Sequence, residues 1–285
     1  MLPSADPSNL IRVMPAKGAS LSQILSESTV RPLHSEAVAA GAGVDLAGVT
    51  RVLGGRRVLD GVDLHVPPRG RLGIVGRSGA GKSTLLSLIA GLDEPDAGVV
   101  TVAGRREAGA RLAGCALMPQ RDCLLPWRTA IDNAGLALEN LGLSRAEARL
   151  RAAPHFARLG LDGAELLPPA KLSGGMRQRV AFLRTLLAGK DVLLLDEPFG
   201  ALDAITRSEL QEWLAGALDA EPRTVLLVTH DVEEALLLCE RVVVLAGGRV
   251  AAELDVRLPR AGTRADAVSS PAFLDLRRRA LEAIG

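Results

Sequence analysis

Short apolar stretches separated by turn residues dominate the chain from Val44 onward. The first are "VDLAGV" (44–49), "VDLHV" (62–66) and "LGIV" (72–75), and the turn sequences "GG" and "PPRG" lie between them. Apolar runs of this length between glycine and proline turns predict a strand-rich beginning to the fold. "GVVTVAG" (98–104) and "CALM" (115–118) predict two further strands.

From about Gln120 to Lys171 the spacing of the apolar residues becomes helical. "TAIDNAGLALEN" has this spacing, and "SRAEARLRAAPHFARLG" opens with Ser144 and Glu147 in the positions of a capping box. In a capping box each of the two side chains bonds the backbone N–H of the other residue, which marks the start of a helix. We therefore expect a helical subdomain over residues 120–172.

After Ser173 helices and strands alternate. The pattern predicts a helix to about Leu187, the strand "VLLLDEP", a helix around Ser208 to Leu218, the strand "TVLLVTH", a short helix and the strand "RVVVL". "LAGGRVAAEL" then predicts a hairpin, and "PAFLDLRRRALEAI" predicts a terminal helix. Near-continuous apolar strands that alternate with helices indicate an α/β fold with a mostly parallel sheet covered on both faces.

Composition and charge narrow the class of protein. The chain has 285 residues, of which 48% are hydrophobic, enough for one large domain or two small ones. A net charge of +1 creates no overall field for binding nucleic acid or an anionic membrane. Cys115, Cys123 and Cys239 are widely spaced and form no C-x-x-C pair. This spacing disfavours a disulfide framework or a zinc site and fits a reducing compartment.

The two ends of the chain differ from its centre. Residues 1–40 mix Pro, Ser, Ala and Gly with weak periodicity, which predicts a disordered extension. The first thirty residues lack the plan of a signal peptide. No stretch of the sequence approaches the roughly 18 uninterrupted apolar residues of a membrane span. We therefore expect a cytosolic chain.

The clearest chemical motif is "GRSGAGKST" (Gly76–Thr84), which lies between an apolar strand and an apolar helix. It fits G-x-x-x-x-G-K-[ST], the phosphate-binding loop. Its glycines let backbone N–H groups point inward, Lys82 adds a positive charge, and the Ser83 hydroxyl can bind Mg2+. The alternative, a Gly/Ser-rich turn that happens to contain a lysine, would not require the flanking strand and helix.

A second motif, "DVLLLDEP", ends an apolar strand with two carboxylates. Asp196 would emerge beside the phosphate-binding loop, where it can hold Mg2+ directly or through water. Glu197, the next residue, can polarise an attacking water, the step that hydrolysis needs beyond binding. The alternative is that the two acidic residues only cap a turn.

A third motif, "LSGGMRQRV" (172–180), starts a helix with Ser173 as a natural N-cap followed by two glycines. Its bare backbone N–H groups make a second anion site. With the two motifs above, "FGALD" and "VTHDVEEA", this run resembles the ATP-binding cassette (ABC) family from about Val44 to Leu245. In that family one ATP is sandwiched between the phosphate-binding loop of one subunit and the LSGG helix of the other.

The resemblance implies the fold and the domain limits. The fold class is α/β, a P-loop NTPase (RecA-like) core with a mostly parallel sheet, an antiparallel β subdomain at its start and an α-helical subdomain. The ABC ATPase domain would span residues 41–255, and residues 256–285 would form a C-terminal tail with a helix.

The resemblance also implies the ligands, ATP and Mg2+, and a role for each matching residue. Glu197, His230 and Gln120 would be catalytic, and Ser83, Gln120 and Asp196 would hold Mg2+. Nucleotide contacts would come from the phosphate-binding loop, the LSGG turn and the aspartate of "FGALD": Gly76, Arg77, Ser78, Gly79, Ala80, Gly81, Lys82, Ser83, Thr84, Ser173, Gly174, Gly175 and Asp203. Asp203 would also communicate across the dimer, and His230 would bond the γ-phosphate.

One feature departs from the family. Its members usually stack adenine on an aromatic residue upstream of the phosphate-binding loop, but this chain has no Tyr, and no Phe or Trp precedes Gly76. Leu53 occupies the expected place. Aliphatic contact from Val52 or Leu53, or stacking by Arg56 or Arg57, would have to replace an interaction worth about 1 kcal/mol or more. We therefore expect weak discrimination between ATP and GTP.

The stretch "PQRDCLLPW" resembles import cassettes, particularly those of the nitrate, sulfonate and taurine group. Leu124, Leu125, Pro126 and Trp127 would receive a helix of a transmembrane permease, although they could instead fill the subdomain core. The expected function is an ATP-hydrolysing subunit that dimerises on ATP and powers the import of sulfonate, taurine, nitrate or a similar small solute.

The implied partners are a second copy of the chain, permease subunits that dock near Gln120 to Trp127, and indirectly a periplasmic or extracellular solute-binding protein. The chain would lie at the cytoplasmic face of the cell membrane, and no nucleic acid is expected as a partner. A soluble ABC ATPase that acts on nucleic acid or another protein is the alternative. A P-loop kinase is a more distant one, because it would not need LSGG.

Overall fold

The computed structural model describes residues 42–258 and 264–285, and the extension predicted at residues 1–40 lies outside them. A three-stranded antiparallel sheet comes first, in the order β2-β1-β4. Its strands are β1 (Val44–Leu53), β2 (Arg56–Val66) and β4 (Ala97–Val102). Gly54 and Gly55 both have positive φ, at 56° and 78°, which lets two residues turn the chain from β1 into β2.

The second sheet has six strands in the order β5-β6-β7-β3-β8-β9. They are β3 (Arg71–Val75), β5 (Cys115–Met118), β6 (Val192–Asp196), β7 (Thr224–Thr229), β8 (Arg241–Ala246) and β9 (Arg249–Asp255). The first five in this order run parallel, whereas β9 returns antiparallel to β8. Every residue of β3, β6 and β7 is buried, as expected of a parallel sheet covered on both faces.

Helices cover this sheet and form the helical subdomain. In chain order they are α1 (Lys82–Ile89), α2 (Ala108–Gly114), α3 (Ala130–Asn140), α4 (Arg145–Ala152), α5 (Pro154–Arg158), α6 (Gly174–Leu187), α7 (Ala204–Ala220), α8 (Val232–Leu238), α9 (Arg264–Ser269) and α10 (Pro271–Ile284), with a short 3-10 turn at Pro169–Lys171. Buried residues of α1 fill the space between the two sheets, and α6 and α7 pack on the other face of the large sheet.

Local chemistry explains where these helices differ from the predicted pattern. The capping box of Ser144 and Glu147 is present, but the helical run that it opens divides at Pro154, which lacks a backbone N–H and begins α5. Helix α7 starts at Ala204, earlier than predicted, because the Asp203 side chain accepts a hydrogen bond from Thr206 N and caps it. Helix α2 was not predicted, because the apolar residues of this short segment show no clear helical periodicity.

The order of the strands brings three motifs together. Strands β6, β7 and β3 are neighbours, and all three run in the same direction. Their carboxyl ends therefore lie side by side, at the edge of a parallel sheet where ligands usually bind. The phosphate-binding loop follows β3, Asp196 ends β6, and His230 follows β7.

A buried carboxylate joins two helices of the helical subdomain. The Asp132 side chain on α3 is fully buried, and it accepts hydrogen bonds from Arg145 and Arg149 on α4 and from the Thr129 hydroxyl, at 2.6–2.9 Å for the bonds of ordinary length. Arg145 is the largest contributor among the groups that hold the pKa of this carboxyl well below its usual range, and burial opposes them.

Replacing Asp132 with asparagine is expected to lower the free energy of unfolding by about 2 kcal/mol at pH 7, because charged hydrogen bonds are lost while the arginines remain. The pKa of the carboxyl is lower in the folded than in the unfolded chain. Its stabilisation is therefore present above the unfolded value of about 3.9 and fades as the pH falls below it. Denaturant unfolding at several pH values measures this.

The matched control is Asp162→Asn, at an exposed position in the same subdomain, which should unfold like the wild type. The difference between Asp132→Asn and the wild type should be constant between pH 5 and 8 and shrink below about pH 4. A difference that grows with acidity would contradict the structural assignment of the buried ion pair.

Candidate functional site

The phosphate-binding loop depends on glycine at two positions where backbone lies too close for a side chain. A Cβ at Gly76 would lie 2.2 Å from the carbonyl oxygen of Leu245. A Cβ at Gly81 would lie 2.9 Å from the Val58 oxygen, and the φ of Gly81 is 101°. The loop is thus held between β2 and the end of β8, and Arg77, Ser78 and Gly79 are exposed at its rim.

Lys82 points into the concave side of this loop. Its Nζ donates hydrogen bonds to the carbonyl oxygens of Gly76 at 2.8 Å and Arg77 at 3.1 Å, and its side chain is buried. Burial lowers the pKa of the ammonium group, whereas the charges of Glu197 and Asp196 oppose this. A cation held by weak carbonyl partners inside a curled loop fits a phosphate well, because an anionic oxygen is a stronger acceptor.

Two oxygen groups beside Lys82 fit a divalent cation. Asp196 is buried at the end of β6, and burial raises the pKa of its carboxyl, while a hydrogen bond from the Ser83 side chain opposes that rise. A carboxylate and a hydroxyl are the hard ligands that Mg2+ uses together with phosphate oxygens and water. Among the described residues no group of three or more His, Cys, Asp or Glu side chains could hold a metal.

Of the three side chains predicted to be catalytic, two converge on the carboxylate of the third. Glu197 Oε2 lies 3.3 Å from Gln120 Nε2 and 3.3 Å from His230 Nδ1. The backbone of Glu197 has a φ of 48°, in the left-handed region, and its N–H donates to Val228 O at 2.8 Å. A strained non-glycine residue that is held by its neighbours is characteristic of a functional position.

The LSGG turn lies at the start of α6 and is exposed. Ser173 caps α6 by accepting a hydrogen bond from Met176 N at 3.2 Å, and Ser173 and Gly174 are exposed. A Cβ on Gly175 would lie 3.3 Å from the Leu202 side chain, so the turn packs beside the loop that carries Asp203. The start of this 14-residue helix is therefore available to a partner, together with Asp203, which is exposed.

Two arginines that sequence reasoning missed connect the loop after Gln120 to α6. Arg177 Nε donates to Asp122 Oδ2 at 2.9 Å, and Arg184 donates to the carbonyl oxygens of Asp122 and Cys123, both at 2.8 Å. Gln178 Nε2, on the same helix, also donates a hydrogen bond to the carbonyl oxygen of Glu197 at 3.4 Å. Arginines seven residues apart lie on one face of a helix, which is the signal that could have indicated this contact.

Comparison with known proteins agrees with this geometry. Residues 59–200 match the ABC transporter family. Over 222 residues the chain is 47% identical to the aliphatic sulfonates import ATP-binding protein SsuB 1 of Rhodococcus jostii strain RHA1, which covers 78% of this chain and 86% of that protein. The chain belongs to the ABC transporter family. Another ABC relative, the formylaminopyrimidine import ATP-binding protein ThiZ of Halalkalibacterium halodurans, is 45% identical over 65% of this chain and 72% of its own length.

A solved dimeric bacterial ABC transporter cassette has the same fold. It is 30% identical to this chain with a TM-score of 0.69, over 75% of this chain and 99% of the cassette. A second structure of that cassette, at 30% identity and a TM-score of 0.68, is a post-hydrolysis dimer bound to ADP and Pi. The predictions of the ABC fold and of an import ATPase that binds nucleotide are therefore confirmed. Of the helices in residues 42–258 and 264–285, none has the length and apolar character of a membrane span.

Proposed function

We propose that the cluster around Glu197 hydrolyses ATP held on the phosphate-binding loop. Lys82 and the backbone N–H groups of Gly76–Thr84 would hold the phosphates, and Ser83, Asp196 and Gln120 would hold Mg2+. When bound, Mg2+ neutralises charge on the phosphate oxygens. Glu197 would accept a proton from the attacking water, with Gln120 and His230 orienting its carboxylate. The observation that carries this proposal is the convergence of Gln120 and His230 on Glu197 Oε2.

The LSGG turn offers a second anion site that the phosphate-binding loop of the same chain does not bond, which supports a dimer that closes on ATP. The LSGG turn is exposed and makes no hydrogen bond to the phosphate-binding loop of its own chain among the described residues. A second copy would bring its own Ser173, Gly174, Gly175 and Asp203 to the γ-phosphate. Hydrolysis would then remove contacts shared by the two copies, and the dimer would open.

The loop after Gln120 has the features of a docking surface. Leu124 is buried in the hydrophobic core that the helices share with the large sheet, whereas Trp127 is 77% exposed. Asn133, which is fully buried, holds this loop: its Oδ1 accepts from Leu125 N at 2.7 Å, and its Nδ2 donates to the carbonyl oxygens of Leu125 at 3.1 Å and Thr129 at 3.0 Å. A rigid loop that exposes a tryptophan fits an aromatic anchor for a partner.

We infer that a permease helix covers Trp127, which would place the chain at the cytoplasmic face of the cell membrane. The relatives import aliphatic sulfonates and formylaminopyrimidine. An aliphatic sulfonate, delivered to the permease by a solute-binding protein, is the cargo that relatives such as SsuB 1 support. A soluble ABC ATPase that acts on another protein would also place a partner on this loop, so it is the import names of the relatives that favour a permease.

Trp127→Ala is expected to abolish sulfonate uptake without abolishing ATP hydrolysis by the purified chain. The reason is that the side chain lies in the loop after Gln120, here called the docking loop (residues 121–129), and not in the nucleotide site. The measurement is uptake of a labelled alkanesulfonate by cells that lack this chain and express either the wild type or the variant. ATP hydrolysis is measured on both purified proteins.

The control Leu274→Ala removes an exposed apolar side chain on α10 and should support uptake like the wild type. Uptake restored fully by Trp127→Ala would exclude this docking surface. If the wild-type chain does not restore uptake of any sulfonate, this class of cargo is excluded. Co-purification with a multi-span membrane protein would then still distinguish an importer from a soluble ATPase.

A further inference from the structure

A cleft of about 230 Å³ lies beside the phosphate-binding loop. It is formed by Arg56, Arg57 and Val58 at the start of β2, by residues 77–80 of the loop and by the turn at Gly247 and Gly248. Because the cleft is continuous with the loop that holds the phosphates, it is where the base of a bound nucleotide would lie. Val52 and Leu53, the aliphatic candidates, do not line it.

None of the aromatic side chains of this chain can stack on a base in that cleft. The four phenylalanines, Phe156, Phe182, Phe199 and Phe273, are buried in the cores at 0–1% exposure. Trp213 packs against Phe182 with ring centroids 5.9 Å apart, and Trp127 lies in the docking loop. The sequence contains no tyrosine. The base must therefore be held by groups of another kind.

Arginines line the cleft instead, and hydrogen bonds fix the backbone and side chains around them. Arg57 Nη1 bonds Asp60 Oδ1 at 2.9 Å, and Arg249 Nε bonds Asp60 Oδ2 at 2.8 Å, so the Arg57 guanidinium is held in place. Asp60 N also donates to Gly248 O at 2.9 Å, which ties β2 to the turn. The Arg56 side chain is exposed and makes no hydrogen bond or ion pair with the described residues.

We propose that Arg56 and Arg57 hold the nucleotide base by guanidinium stacking, and that the cassette therefore binds GTP as tightly as ATP. The proposal rests on the proposed function, since it concerns the base of the same nucleotide. A planar guanidinium stacks on any base, because every base has a π face.

The test is equilibrium binding of ATP, GTP and inorganic tripolyphosphate to the full chain. The wild-type affinities for ATP and GTP are expected to agree within about threefold. The double variant Arg56→Lys/Arg57→Lys keeps both charges but loses the planar groups, and its Kd for both nucleotides should rise by about tenfold. Its affinity for tripolyphosphate, which has no base, should not change.

Leu53→Ala is the matched control, and it should bind both nucleotides like the wild type. A wild-type preference for ATP above about tenfold would overturn the proposal, as would unchanged nucleotide binding in the lysine variant or a larger effect of Leu53→Ala. Because the readout is binding, the result does not depend on hydrolysis. Base-independent binding without turnover would support this inference and contradict the catalytic role of Glu197.

Discussion

Glu197→Gln is expected to lower ATP hydrolysis by at least about a hundredfold while ATP still binds. The amide has nearly the same shape as the carboxylate but cannot accept the proton of the attacking water, and a positioned base contributes about 10²- to 10⁴-fold to such a step. Steady-state release of phosphate from the purified chain measures the loss. Nucleotide binding is measured on the same preparation.

This variant also tests the proposed dimer. If the γ-phosphate bridges two copies, a chain that binds ATP without hydrolysing it should accumulate as a dimer in ATP and Mg2+ and return to a monomer with ADP. Size-exclusion chromatography with light scattering separates the two states. Glu282→Gln, at an exposed position on α10, is the matched control and should turn over ATP like the wild type. Ordinary turnover in Glu197→Gln would show that another group activates the water.

Lys82→Ala is expected to weaken nucleotide binding by about 10- to 100-fold. The variant loses a charge-assisted hydrogen bond of about 1.5–3 kcal/mol, and each 1.4 kcal/mol corresponds to tenfold in affinity. Hydrolysis at low ATP should fall at least as much. Because Nζ holds the carbonyl oxygens of Gly76 and Arg77 in the structure, thermal unfolding without nucleotide shows whether the loop itself is also destabilised.

The control for Lys82→Ala is Lys171→Ala, which removes an exposed lysine just before the LSGG turn and should bind ATP like the wild type. The two variants together separate loss of the phosphate contact from loss of one positive charge on the chain. Equal nucleotide affinity of Lys82→Ala and the wild type would place the phosphates away from the loop.

The predicted docking motif shows what sequence patterns can predict and what they leave open. The four residues from Leu124 to Trp127 were predicted either to receive a permease helix or to fill the subdomain core. The structure divides them, with Leu124 buried and Trp127 exposed, and Asn133 holds the loop between them through its hydrogen bonds with Leu125 and Thr129. Sequence spacing alone could not separate the two interpretations, because it does not show which side of a loop packs inward.

The sequence by itself, through its local patterns, determined the strands, most of the helices and the chemistry of each motif. The phosphate-binding loop, the capping box at Ser144 and the cap at Ser173 are of this kind, because their hydrogen bonds join residues close in the chain. The tertiary structure decided the convergence of Gln120 and His230 on Glu197, the bonds from Arg177 and Arg184 to Asp122, and the cleft that Arg56 and Arg57 line beside the phosphate-binding loop. These contacts join residues far apart in the chain, so only the order of the strands and the packing of α6 bring them together.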